Sequence, residues 1–126
     1  MIYDKHFTVE EANSLLGELT ELVRQLQGIR DDLVAAWPEA RQVLRAVPTN
    51  GGGKEAVPYL AGLSRLNRVI RRLNDLGVIL KDLDRGLIDF PHLRNGREVF
   101  LCWELGEPAV RYWHDLDSGY AGRQPV

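Results

Sequence analysis

The chain has 126 residues, 44% of them apolar and 27% charged, with a formal net charge of -2 and one cysteine. These values describe one soluble globular domain, with no basic surplus to drive nonspecific nucleic-acid binding and no internal disulfide. No apolar run approaches the roughly 20 residues that cross a bilayer, and Met1 leads straight into polar Tyr3-Asp4-Lys5-His6 rather than a signal peptide, so no membrane association and a cytoplasmic location are expected.

The first helix has a marked start. Thr8 and Glu11 have the spacing of a capping box, with Phe7 just before it. Leu16, Leu19, Val23, Leu26, Leu33 and Trp37 follow at heptad-like spacing, flanked by Leu15, Leu22 and Ile29. Pro38 should kink or end this helix. Pro48-Thr49-Asn50-Gly51-Gly52-Gly53 reads as a flexible linker. A second helix is expected from near Lys54 or after Pro58, with the stripe Tyr59, Leu63, Leu66, Ile70 and Leu73, and Gly77 ending it. Residues 1–53 carry five basic and eight acidic side chains, whereas residues 54–76 carry five basic and two acidic. Complementary flanks favour an antiparallel hairpin, and the Arg65, Arg68 and Arg72 stripe reads as its salt-bridged face.

From Gly77 onward the pattern turns to β. Val78-Ile79-Leu80 is expected to be a short strand and Leu87 to Phe90 a second. Asn95-Gly96 is the strongest hairpin-turn signal in the chain, and the β-branched and aromatic run Glu98 to Trp103 follows it. Gly106-Glu107-Pro108 is another turn, after which Val110 to His114 returns as a strand or short helix. The expected fold class is α+β: one domain over residues 1–126, with an N-terminal antiparallel helical hairpin (1–76, linker 48–53) packed on a small, mostly antiparallel C-terminal β-sheet (77–126). The helical stripes are wider than a small sheet covers, so a homodimer through the hairpins is expected.

Thr8 to Ala12, Lys81-Asp82, Gly86-Leu87-Ile88-Asp89-Phe90-Pro91, Gly96-Arg97-Glu98-Val99, Leu101-Cys102-Trp103, Gly106-Glu107-Pro108, Trp113-His114 and Gly119 through Arg123 resemble the domain of unknown function family 2203, a group of small prokaryotic proteins. The resemblance covers nearly the whole chain, with its specific motifs in residues 77–123. It implies a group and no activity, so the chemistry must be read from the side chains.

His114, between Trp113 and Asp115, is the first candidate. With Asp82, Asp89 or Glu107 it makes the mixed nitrogen and oxygen set that suits a divalent metal ion, although no HxxxH, HExxH or CxxC spacing backs it. Cys102 with His114 can form a thiolate–imidazole pair, with Asp89 or Glu107 orienting the ring. Against this, Cys102 lies in an apolar strand, where alternation puts it on a face with Phe100, and a free cysteine there is commonly a core residue. Asp82 and Asp84 suit the capping of a turn. Asp89 lies between Ile88 and Phe90, where a carboxylate needs a partner, and Arg97 or Lys81 is expected to provide it. Arg123, among glycines, offers a fork for a carboxylate or phosphate, or pins the C-terminal tail by pairing with Glu107 or Asp117.

Three functional classes fit these residues. The favoured one is a small-ligand or metal-binding protein whose ligand residues are Lys81, Asp89, Arg97, Glu107, His114 and Arg123. Its metal set is His114, Asp89 and Glu107, and its ligand a divalent cation or a small anion. The alternatives are a non-catalytic adaptor acting through the helical hairpin and a small enzyme with His114 as base. Spatial clustering separates these classes.

Overall fold

The structure, a computed structural model, describes residues 1–36, 38–39 and 64–126. Among the described residues, three α-helices, α1 (Val9–Ser14), α2 (Leu16–Ala36) and α3 (Ser64–Leu76), precede five strands. The strands are β1 (Ile79–Asp82), β2 (Leu87–Arg94), β3 (Arg97–Glu104), β4 (Tyr112–His114) and β5 (Gln124–Pro125), forming an antiparallel meander in sequential order. The fold is α+β, with helices on one face of the sheet. The expected linker at 48–53, the start of the second helix, Trp37, Tyr59 and Leu63 lie outside the described residues. Among the described residues, no helix is long and apolar enough to cross a membrane.

The capping box forms as its spacing requires. Glu11 N–H donates to Thr8 Oγ1 and Thr8 N–H to Glu11 Oε1, both at 3.0 Å. The single long first helix is corrected to two pieces joined at Leu15. Two side chains favour the break: Ser14 Oγ donates back to the Glu11 carbonyl at 2.6 Å, and Asn13 Oδ1 accepts from Val110 N–H at 2.7 Å. Back-bonding of this kind bends helices, and the second bond ties the bend to the loop before β4. Pro38 and Glu39 form a turn beyond the end of α2. Arg72 of α3 grips Glu18 of α2 with two hydrogen bonds at 2.6 and 3.0 Å, the charge complementarity anticipated between the two helices.

Leu19, Val23 and Leu26 of α2 and Leu66, Ile70 and Leu73 of α3 join Ile88, Phe90, Leu101 and Trp103 of the sheet in one buried core. Phe7 closes it, its ring edge-on to Phe90 at 5.5 Å. The first strand is shifted from the expected Val78–Leu80 to Ile79–Asp82, and β2 runs beyond Phe90 to Arg94 through Pro91. Proline is tolerated there because Pro91 O accepts from Phe7 N–H at 2.7 Å. A residue's N and O point to the same side of a strand, so the missing N–H faces the N-terminal segment and spares the ladder with β3. The β2–β3 turn has φ of 54° at Asn95 and 77° at Gly96, as a two-residue hairpin of this handedness requires.

Gly86 fixes the base of the β1–β2 turn against the next hairpin. Its φ is +65°, and a Cβ there would lie 2.5 Å from Leu105 Cβ and 3.2 Å from Val23 Cγ1. Its carbonyl also accepts from Leu105 N–H at 2.9 Å. Gly86→Ala is expected to destabilise by roughly 2–4 kcal/mol, combining left-handed strain with overpacking. Urea unfolding checks this; an unchanged midpoint would show that the loop yields without cost.

Candidate functional site

Strand alternation divides the sheet chemically. Ile88, Phe90, Leu101 and Trp103 face the helices, while Leu87, Asp89, Phe100, Cys102 and His114 lie on the opposite face. On that second face Asp89 sits directly across from Cys102, and His114 pairs with Phe100, diagonal to Cys102. Three adjacent strands thus each contribute one chemically competent side chain.

The three converge. One donor atom from each of Asp89, Cys102 and His114 lies within 4.8 Å of the other two. All are buried, with exposures of 2%, 0% and 2%, so their charges must be satisfied locally. His114 Nε2 lies 3.1 Å from Asp89 Oδ1, and Nδ1 lies 2.7 Å from the Asp115 carbonyl oxygen. A carbonyl only accepts, so Nδ1 carries a proton. Burial favours the neutral ring, but hydrogen bonds to Asp89, Cys102 and the Asp115 carbonyl, together with the Asp89 charge, outweigh it and push His114 up from 6.5 to about 10. With Nδ1 on the Asp115 carbonyl, Nε2 faces the Asp89 carboxylate.

Two predicted partnerships are corrected here. Asp89 is paired with His114, not with Arg97 or Lys81. Arg97 stands opposite Arg94 at the hairpin end, five residues from Cys102, or about 16 Å along the strand. It pairs there with Asp115. Lys81 places its ammonium over the Phe100 ring, 4.9 Å from the centroid.

Glu107 and Arg123 form a separate clasp. Arg123 Nη1 and Nη2 donate to Glu107 at 3.0 and 2.5 Å, and Nη2 also reaches the Cys102 carbonyl at 3.2 Å. Glu107 Oε1 further accepts from Glu104 N–H at 2.6 Å. Both Glu107 oxygens are therefore engaged away from His114. The guanidinium lies over the rings of Tyr112 and Tyr120, 4.3 and 4.5 Å from their centroids. This is the tail-pinning arrangement, one of the two alternatives open for Arg123. Asp82 Oδ1 caps its turn by accepting from Arg85 N–H at 3.1 Å, and Asp84 pairs with Arg30.

The N-terminal segment joins this face of the sheet through Glu98. Ile2 and Tyr3 N–H donate to Glu98 at 2.9 and 3.0 Å, and His6 Nε2 lies 2.7 Å from the same carboxylate. Burial opposes ionisation of Glu98, but these bonds outweigh it and hold its carboxyl below the ordinary carboxylate range. Tyr3 consequently packs on Phe100, ring centroids 5.5 Å apart, and Phe100 meets the His114 ring at 5.6 Å. Burial, then the Glu98 and Asp89 charges, raise the Tyr3 phenol. No local motif marks Tyr3; its position follows from Glu98, which shares a strand face with Phe100 and Cys102.

Neither a curated protein nor a solved structure matches this chain. A family model, described as an uncharacterized conserved protein (DUF2203), matches residues 5–126. With that match spanning nearly all of its length, the chain belongs to the DUF2203 family.

Proposed function

We propose that the chain binds one divalent transition-metal ion through Asp89, Cys102 and His114. The observation that carries this reading is the buried convergence of a carboxylate, a thiol and an imidazole from three strands, with donor atoms within 4.8 Å of one another. Sulfur and imidazole donors suit zinc, cobalt(II) or iron(II) and disfavour magnesium and calcium. The bond between His114 Nδ1 and the Asp115 carbonyl supports it further. That partner holds Nδ1 protonated and turns Nε2 toward Asp89, as the outer hydrogen bond of a metal-bound histidine does.

Charge balance also favours the exchange. A carboxylate, a thiol and an imidazolium sum to zero. A divalent cation that displaces one proton from His114 and one from Cys102 leaves the sum at zero, so the buried site changes occupant without gaining charge. The reading keeps His114 and Asp89 from the expected metal set and puts Cys102 in place of Glu107, whose oxygens are held by Arg123 and Glu104 N–H.

Equilibrium dialysis against zinc tests it. The folded protein is expected to take up one equivalent, to release two protons in doing so, and to bind more tightly as pH rises. Cys102→Ser and His114→Ala are each expected to weaken binding by roughly 100-fold or more, beyond the 10- to 100-fold typical of outer-shell changes. Absence of stoichiometric uptake, or wild-type affinity in both variants, would overturn the reading.

A further inference from the structure

The Asp89–Cys102–His114 group contains three ligand residues, and among the described residues no fourth His, Cys, Asp or Glu joins it. Zinc and cobalt(II) in such sites take four ligands, and three protein donors leave one position for a ligand from solution. With a dication, a carboxylate, a thiolate and a neutral imidazole the centre is already neutral. An anion at the fourth position would add a buried negative charge, which is costly unless a cation faces it.

Lys81 brings a cation to this face of the sheet. In the β1–β2 pairing Leu80 opposes Ile88 while Asp82 opposes Leu87, so Lys81 is the additional residue of a β-bulge. Bulges bend a strand and re-aim the side chain they carry. Here the ammonium is brought over the Phe100 ring at 4.9 Å, and that ring stands 5.6 Å from His114. Lys81 is exposed, whereas the three donors are buried. Around the same face Glu98 is held by His6 and two backbone N–H groups, Glu104 by Arg85, Asp115 by Arg97, and Glu107 by Arg123. Among the described residues Lys81 has no carboxylate within ion-pair distance.

We infer that the metal centre takes a small carboxylate anion as its fourth ligand, with Lys81 as the counter-charge. The inference rests on the metal reading above. It assigns the bulge a purpose in ligand choice: a neutral oxygen donor gains little from a nearby ammonium, whereas a carboxylate is stabilised by it.

Cobalt(II)-loaded full-length protein tests this separately from metal binding. Sulfur-to-cobalt charge transfer first reports that the centre has formed. Acetate is then titrated while the visible bands are followed, with acetamide as the uncharged control. Acetate is expected to shift those bands saturably at one equivalent and acetamide to leave them unchanged. Lys81→Met is expected to bind cobalt as before but acetate roughly 10- to 100-fold more weakly, the worth of one charge-assisted hydrogen bond, and Lys81→Arg to restore most of the affinity. A loaded centre that ignores acetate, or equal acetate affinity in wild type and Lys81→Met, would overturn the anion inference and leave the metal reading standing. Failure to form the sulfur-to-cobalt band would remove both.

Discussion

Asp89→Ala is expected to cost about 3–5 kcal/mol of stability in the metal-free protein, the cost of removing one member of a buried ion pair. Asp89 and His114 are each 2% exposed, and their contact is 3.1 Å. Without the carboxylate, burial dominates and returns His114 to its neutral form, so the protein loses both the pair and its linkage to pH. In the wild type, His114 is raised from 6.5 to about 10. Its contribution is therefore fully present below 6.5 and is lost as pH climbs through 10. Urea unfolding with a chelator present should show a midpoint that declines across that window in the wild type and one that is lower and flatter in the variant. Asp89→Leu combined with His114→Phe should recover most of the loss, because a well-packed apolar pair carries no desolvation cost. A loss below about 1 kcal/mol in Asp89→Ala would mean the pair is solvated or otherwise compensated.

Trp103→Ala is expected to be equally damaging, at about 3–5 kcal/mol. The indole is 1% exposed within the core shared by the helices and the sheet. Its Nε1–H also donates to the Glu107 carbonyl at 2.9 Å, fastening the turn whose side chain holds Arg123. Trp103→Phe separates the two contributions. It keeps most of the apolar contact and leaves the carbonyl unpaired, for an expected cost of about 1–3 kcal/mol. Equal losses in the two variants, measured by thermal unfolding, would show that the hydrogen bond rather than the packing dominates.

Much of this arrangement is legible in local pattern. Thr8 and Glu11 mark a helix start because the capping box needs only two side chains three residues apart. Asn95-Gly96 does more than mark a turn: a two-residue turn pairs Arg94 with Arg97, and counting back along both strands sets Asp89 across from Cys102. That step was available from sequence and would have identified Cys102, rather than Arg97, as the neighbour of Asp89.

The remaining features depend on geometry that pattern does not encode. His114 reaches the pair because β4 aligns Tyr112 with Cys102 and His114 with Phe100. The intervening residues 105–111 set no register by count. Lys81 reaches Phe100 through a bulge, which breaks the alternation from which its face would be read. The helix break at Leu15 depends on Asn13 meeting Val110, a contact 97 residues apart in sequence. Glu107 and Arg123 were both candidates for a ligand site, and each is the other's ion-pair partner.

The central claim is that sulfur, nitrogen and carboxylate oxygen from three strands hold one metal ion. X-ray absorption at the zinc edge of the zinc-loaded protein tests it most directly. The predicted spectrum contains one sulfur at about 2.3 Å and lighter ligands at about 2.0–2.2 Å, with the sulfur contribution gone in Cys102→Ser. A shell of nitrogen and oxygen alone, the same in wild type and Cys102→Ser, would contradict the account.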